Sequence, residues 1–372
     1  MSDLNSEVYV ALGQVIDPEL RRPITELGMV GEIKGDATSF EVTIKLTVSH
    51  CPQADYLEQE VTKALTTSFT QSNVAVKMSV MTQEELAELK LKLRDGKEPK
   101  ANQFVAGTAT KVFLIGSGKG GVGKSSITAN IAVELASQGY EVGLIDADIF
   151  GFSIPGQLGT RDRPTRLDDM ILPPIAHGVK VISIGMFLPG NEPVAWRGPM
   201  LHKAVEQFLT EVYWGNLDFL LIDMPPGTGD VAISVGQLLP TAKTIVVTTP
   251  QQAAATVAER SGTAGLKTGQ EIFGVIENMS YLIQPDGSKV ELFGSGGGEV
   301  VAQSLSARTG TNIALLAKIP LSINLREGSD NGNPVVLAHP DDASSTEIKN
   351  LAKLLIDSKL PTSARTLKVT LT

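Results

Sequence analysis

The stretch GSGKGGVGKSS, Gly116 to Ser126, holds more glycine than a helix or strand tolerates and sets two lysines around a glycine cluster. Inside it GKGGVGKS, Gly118 to Ser125, satisfies the spacing G-x-x-x-x-G-K-[ST]. The context matches that pattern. The apolar run KVFLIG precedes it and predicts a buried strand; a helix follows, with Ile127, Ile131 and Leu135 on one face and Gly139 as its stop. Glycines let successive backbone N–H groups turn inward on phosphate oxygens, and the helix N-terminus adds partial positive charge. Gly118, Lys119, Gly120, Gly121, Val122, Gly123, Lys124, Ser125 and Ser126 are therefore predicted to cradle a nucleoside triphosphate. Lys124 is assigned to the terminal phosphates and Ser125 to magnesium.

Outward from the loop, KVFLIG, EVGLID, KVISIG, FLLID, TIVVTT, FGVIE and LLAKI are short, almost wholly apolar runs separated by helical stretches. Such runs predict strands buried on both faces: a doubly wound α/β domain with a mainly parallel sheet. Asp223 ends one of these runs, at the strand edge where ligands of such sheets bind, and is read as the second magnesium-side acid. Asp146 and Asp148, at i and i+2 after another run, are predicted to share one side of the chain. Asp148 is the better candidate for a magnesium contact and for orienting the attacking water, whereas Asp146 either faces the metal or caps the following turn.

The N-terminal residues 1–81 read as a small α+β domain. A helical period in EVYVALGQVI stops at Asp17-Pro18, and Val42, Ile44 and Leu46 alternate along a strand. Residues 82–108 read as a helix and linker, 109–360 as the phosphate-loop domain, and 361–372 as a mobile tail. Across 372 residues, 42% of them hydrophobic, the net charge is -9, which argues against broad capture of nucleic acid or of an anionic membrane. No apolar run reaches membrane-spanning length, and the chain reads as cytoplasmic.

Lys119 is not required by the general phosphate-loop pattern. With it, the loop resembles the deviant Walker A loop of the MinD and ParA class of dimeric ATPases. That resemblance implies a homodimer in which Lys119 reaches the partner's nucleotide and stabilises charge during hydrolysis, as an arginine finger does. Lys119, Lys124 and Asp148 thus form the expected catalytic set. Further along, LIDADIFGFSIP, LIDMPPGTGD, VTTPQQAA, VIENMSYL, FGSGGGEVVA and IPLSINLREGSDNGNPVV follow in an order that resembles the Mrp family of iron-sulfur cluster carriers. IDPEL, ELGMV and VSHCP resemble the small domain often fused to Mrp proteins. The resemblance implies slow, partner-linked ATP hydrolysis, magnesium as cofactor, and iron-sulfur assembly or recipient proteins as partners. It also implies adenine contacts from Asn278 and Pro320, with Arg326 either nearby or in a surface salt bridge.

One departure from the family pattern concerns the cargo. Typical Mrp carriers have C-x-x-C after the Asn-Met-Ser motif, and two subunits offer four thiolates to one iron-sulfur cluster. Here Gln284-Pro285-Asp286-Gly287 stands in that segment and reads as a hairpin turn. Cys51 is the single cysteine, leaving it as the one candidate cluster thiol in the chain. Two functions therefore stay open: an iron-sulfur cluster carrier or assembly ATPase, or a nucleotide-switched scaffold that binds no cluster.

Overall fold

The computed structural model describes residues 2–49, 51, 53–94, 102–105, 107–149, 151–188, 198–227 and 230–359. The expected mobile tail, part of the expected linker, His50 and Pro52 beside Cys51, and Thr228 and Gly229 of the loop after Asp223 lie outside the described residues.

The chain forms two compact units. The first begins with α1 (Ser2–Leu12), β1 (Val30–Asp36), β2 (Ser39–Leu46), α2 (Ala54–Ser68), β3 (Asn73–Val80) and α3 (Gln83–Arg94). β1 and β2 are antiparallel, turning where Asp36 Oδ1 accepts a hydrogen bond from the Thr38 amide; β3 then joins β2 in parallel, which requires α2 as the crossover. Val42, Ile44 and Leu46 point inward as their alternation predicts, against Leu57, Val61 and Leu65 of α2. Leu86, Leu89 and Leu93 of α3 join the same core, so this helix packs as part of the small unit, beyond the boundary drawn at residue 81.

The second unit opens with β4 (Lys111–Ser117), α4 (Lys124–Ser137), β5 (Val142–Asp146) and the short α5 (Ile154–Gln157). The chain then leaves it. The hairpin β6 (Thr165–Leu167) and β7 (Met170–Leu172) belongs to the small unit, together with residues 211–215. Leu167, Met170 and Leu172 are buried in the small unit's core. Lys90 to Asp168 and Arg94 to Asp169, each 2.6 Å, tie α3 to the hairpin turn.

The remaining elements are β8 (Ile175–Ala176), β9 (Val179–Ser183), α6 (Gly198–Thr210), β10 (Phe219–Asp223), α7 (Asp230–Leu238), β11 (Lys243–Thr248), α8 (Gln252–Lys267), β12 (Glu271–Ile283), β13 (Lys289–Val290), α9 (Gly297–Thr309), β14 (Leu315–Leu321), α10 (Ile323–Asn331), α11 (Val335–Ala338) and α12 (Ala343–Asp357). The large sheet runs β13-β12-β11-β4-β10-β5-β9-β8, with β14 on β12. Its long strands pair in parallel; antiparallel pairing is confined to the short β8 and β13. Each of the seven apolar runs forms one of these strands, as a doubly wound domain requires. β4, β10 and β5 lie side by side with their carboxyl ends together, and Asp223 is in register with Asp146 on one side and Ile115 on the other. One edge thus collects the phosphate loop and three aspartates.

Candidate nucleotide site

The loop after β4 is shaped by contacts that exclude side chains at two glycines. A Cβ at Gly118 would stand 2.3 Å from the backbone of Val257 and Ala258. At Gly123, φ is 78° and a Cβ would stand 2.2 Å from the Asn278 amide nitrogen. Gly123 caps α4 in the left-handed conformation without any side-chain cap, and the first turn of α4 contains no acid. The first N–H groups of this helix are therefore available to a phosphate, with the helix dipole behind them.

Two residues at the start of α4 converge on the end of β10. Lys124 Nζ lies 2.7 Å from Asp223 Oδ2, and the Ser125 hydroxyl donates to the same oxygen at 2.6 Å. One turn further on, Thr128 Oγ1 lies 3.0 Å from Asp223 Oδ1 and 2.8 Å from the Lys124 carbonyl. The loop after Asp223 returns to β4: the Met224 amide donates to the Ile115 carbonyl at 3.0 Å and the Gly227 amide to the Ser117 carbonyl at 2.8 Å. A hydroxyl and a carboxylate this close are hard oxygen donors of the kind magnesium takes alongside phosphate oxygens, so the residues fit that ion.

Asp146 and Asp148 behave differently from one another. β5 ends at Asp146, so the strand alternation does not carry to Asp148, and the expectation that both share one side through a common strand gives way to a turn. Asp146 is fully buried and accepts hydrogen bonds from the amides of Asp148, Ser153 and Ile154 and from the Ser183 hydroxyl, each at 3.2 Å. It pins the segment that follows. Burial, and then the charge of Asp223 one strand away, raise its carboxyl well above the usual range. Asp148 Oδ1 accepts from the Gly151 amide at 3.2 Å.

Lys119 extends from the loop, and its Nζ donates to Gln251 Oε1 at 3.0 Å. Asn278 is buried and donates one N–H of Nδ2 to the Val122 carbonyl at 2.9 Å, which anchors its amide against the loop while its second N–H and Oδ1 remain as donor and acceptor for a base. Beside it opens a cavity of about 1060 Å³, lined by Gly123, Ser126, Asn278, Met279, Pro320 and Arg326 among others. Arg326 also pairs on the surface with Glu327 at 2.8 Å and Asp330 at 3.2 Å.

With this geometry, residues 108–356 match the ParA model described as the NUBPL iron-transfer P-loop NTPase. This chain belongs to that family. Residues 5–80 match a second model, described as an iron-sulfur cluster assembly protein. A protein of Mycobacterium tuberculosis called an iron-sulfur cluster carrier protein is 53% identical over 352 residues, covering 94% of this chain and 92% of that one. A Synechocystis protein of the same name is 37% identical over 353 residues, covering 93% and 95%. Among solved structures, a nucleotide-binding protein from Archaeoglobus fulgidus in complex with ADP, with cobalt, matches at TM-score 0.53 and 34% identity, covering 70% of this chain and 95% of that one.

The chain has one cysteine and four histidines. Gln284 to Gly287 form the expected turn between β12 and β13: the Gly287 amide donates to the Gln284 carbonyl, and the Gln284 amide to the Ser288 carbonyl, both at 2.9 Å. Cys51 is half-buried in the small unit, and burial pushes its thiol up to about 11, with Glu19 and Asp17 adding to the rise. Among the described residues no group of three His, Cys, Asp or Glu side chains is arranged to hold a metal ion. No helix among them is long and apolar enough to cross a membrane.

Sequence reasoning missed Thr128 and Gln251. Thr128 sits four residues after Lys124, on the same helix face, and that spacing is the signal it offered. Gln251 lies in VTTPQQAA, a motif noted for family likeness without a role, and its contact with Lys119 spans 132 residues.

Proposed function

We propose that this chain binds ATP with magnesium, hydrolyses it slowly as a homodimer, and serves iron-sulfur cluster assembly or transfer in the cytoplasm. The observation that carries the reading is the convergence of Lys124 and Ser125 on Asp223 at the open edge of the sheet. Lys124 turns from Asp223 to the terminal phosphates when they enter, and Ser125 and Asp223 hold magnesium. That ion supplies charge neutralisation at the phosphates. Asp148 orients the attacking water, and Lys119 leaves Gln251 to reach the nucleotide of the partner subunit. The Asn278 amide, with Pro320, receives the adenine.

The names of the relatives and the small-domain match support the cargo part of this reading. A second reading, a nucleotide-switched adaptor that carries no cluster, is favoured by one specific observation. Cys51 is the single thiol of the chain, Gln284 to Gly287 occupy the segment where thiolates would be expected, and no group of three His, Cys, Asp or Glu side chains among the described residues is arranged to hold a metal ion. Anaerobic reconstitution with iron and sulfide separates the two. A carrier takes up stoichiometric cluster that Cys51→Ser removes; an adaptor takes up none and still captures its partners in an ATP-dependent way.

A further inference from the structure

Asp223 is fully buried, and both of its carboxylate oxygens are engaged: Oδ2 by Ser125 and Lys124, Oδ1 by Thr128. A carboxylate torsion of this type has a broad, twofold profile, so its orientation depends on its partners. Lys124 is the partner that any incoming phosphate competes for. Thr128 is not: it is wholly buried, and its one hydroxyl proton is shared between Asp223 Oδ1 at 3.0 Å and the nearer Lys124 carbonyl, 2.8 Å away and one turn back. That back-bond selects a side-chain rotamer in a β-branched residue with few to choose from. The hydroxyl is thereby held at a fixed place beneath Oδ1.

We propose that Thr128 is a positioning residue for the magnesium-side carboxylate, holding Asp223 so that Oδ2 faces Ser125. This rests on the reading of the site as one for a magnesium nucleotide. Removing the hydroxyl leaves a buried, charged oxygen without its donor, and the carboxylate turns to recover one. The loss falls on metal-dependent binding, because Asp223 meets the phosphate cradle only through Lys124 and Ser125, which a change at Thr128 leaves in place. An exchange of threonine for valine keeps the shape of the side chain and removes only the hydrogen bond.

The test measures the affinity of the full chain for ADP by titration calorimetry, once with magnesium and once with EDTA. Thr128→Val should weaken binding about tenfold with magnesium, the size expected for one hydrogen bond to a charged group, and leave the EDTA value unchanged. Thr128→Ser should restore the magnesium value to within about twofold of wild type. Should the valine variant fail to fold, Thr128→Ala carries the same expectation. Unaltered magnesium dependence, or equal weakening in both conditions, overturns the proposal while the site reading stands. Failure of the wild-type chain to bind ADP in either condition overturns both.

Discussion

Lys124 Nζ stands 2.7 Å from Asp223 Oδ2, and their side chains are only 6% and 1% exposed. The pair is a structural asset as well as part of the proposed nucleotide site. Asp223 sits in register beside Asp146, a second buried carboxyl, so removing the Lys124 ammonium leaves two buried carboxyls side by side without it. Lys124→Ala should lower stability by roughly 3–5 kcal/mol, the range for stranding one member of a buried pair. Asp223→Asn added to that variant should recover part of the loss. Urea denaturation of the two single variants and the double variant measures this as a coupling.

The exposed contact between Lys119 and Gln251 predicts a different profile. If its charge acts on the nucleotide of the other subunit, as proposed, Lys119→Ala should retain nucleotide binding and reduce turnover and ATP-dependent dimerisation. Mixing it with an Asp148→Ala chain should restore part of the turnover, because each mixed dimer assembles one intact composite site. Steady-state turnover against mixing ratio reads the effect. A flat, inactive profile would place Lys119 in its own chain's site.

The β6–β7 hairpin predicts that the small unit is incomplete without residues that come from the middle of the sequence. Leu172 is fully buried in that unit's core, and Leu172→Ala should cost about 2–5 kcal/mol locally. Hydrogen exchange should show lost protection in α3, which the Lys90 and Arg94 ion pairs join to the hairpin, with β4 and β10 of the other unit unaffected.

Much of the architecture was legible because its signals are local. All seven apolar runs read as buried strands form strands of the large sheet, although β14 is only partly buried, and the phosphate-loop spacing sits between β4 and α4 as its strand-loop-helix context requires. The hairpin was not legible: its strands are three residues each, too short to show alternation, and their partners lie in a core built from residues before Arg94. The partition between Asp146 and Asp148 was legible only as an alternative, with Asp146 either facing the metal or capping the turn. It depends on where β5 stops and on amides at Ser153 and Ile154 that fold back onto Asp146, which spacing along the chain does not reveal. Thr128 and Gln251 act across 95 and 132 residues, and their roles come only from the fold.

Cys51 predicts a pH dependence with a definite sign. Burial raises its thiol from 9.0 to about 11, so the folded state favours the protonated form. The associated stability is fully present below pH 9, where the thiol is protonated in both states, and is lost as pH rises from 9 to 11 while the unfolded chain ionises first. Reactivity follows the same shift. At pH 8, iodoacetamide should alkylate the folded protein roughly a hundredfold more slowly than the denatured chain, in proportion to the thiolate present. Equal rates would mean that the thiol is neither desolvated nor shielded.

The central claim is that Gly118 to Ser125 and Asp223 form an ATP-hydrolysing site, and its most direct test is phosphate release by the full chain with magnesium and ATP. Wild-type protein should release phosphate slowly but measurably, and Lys124→Ala, confirmed to be folded at the assay temperature, should release none above background. Equal release by the two proteins would contradict the assignment.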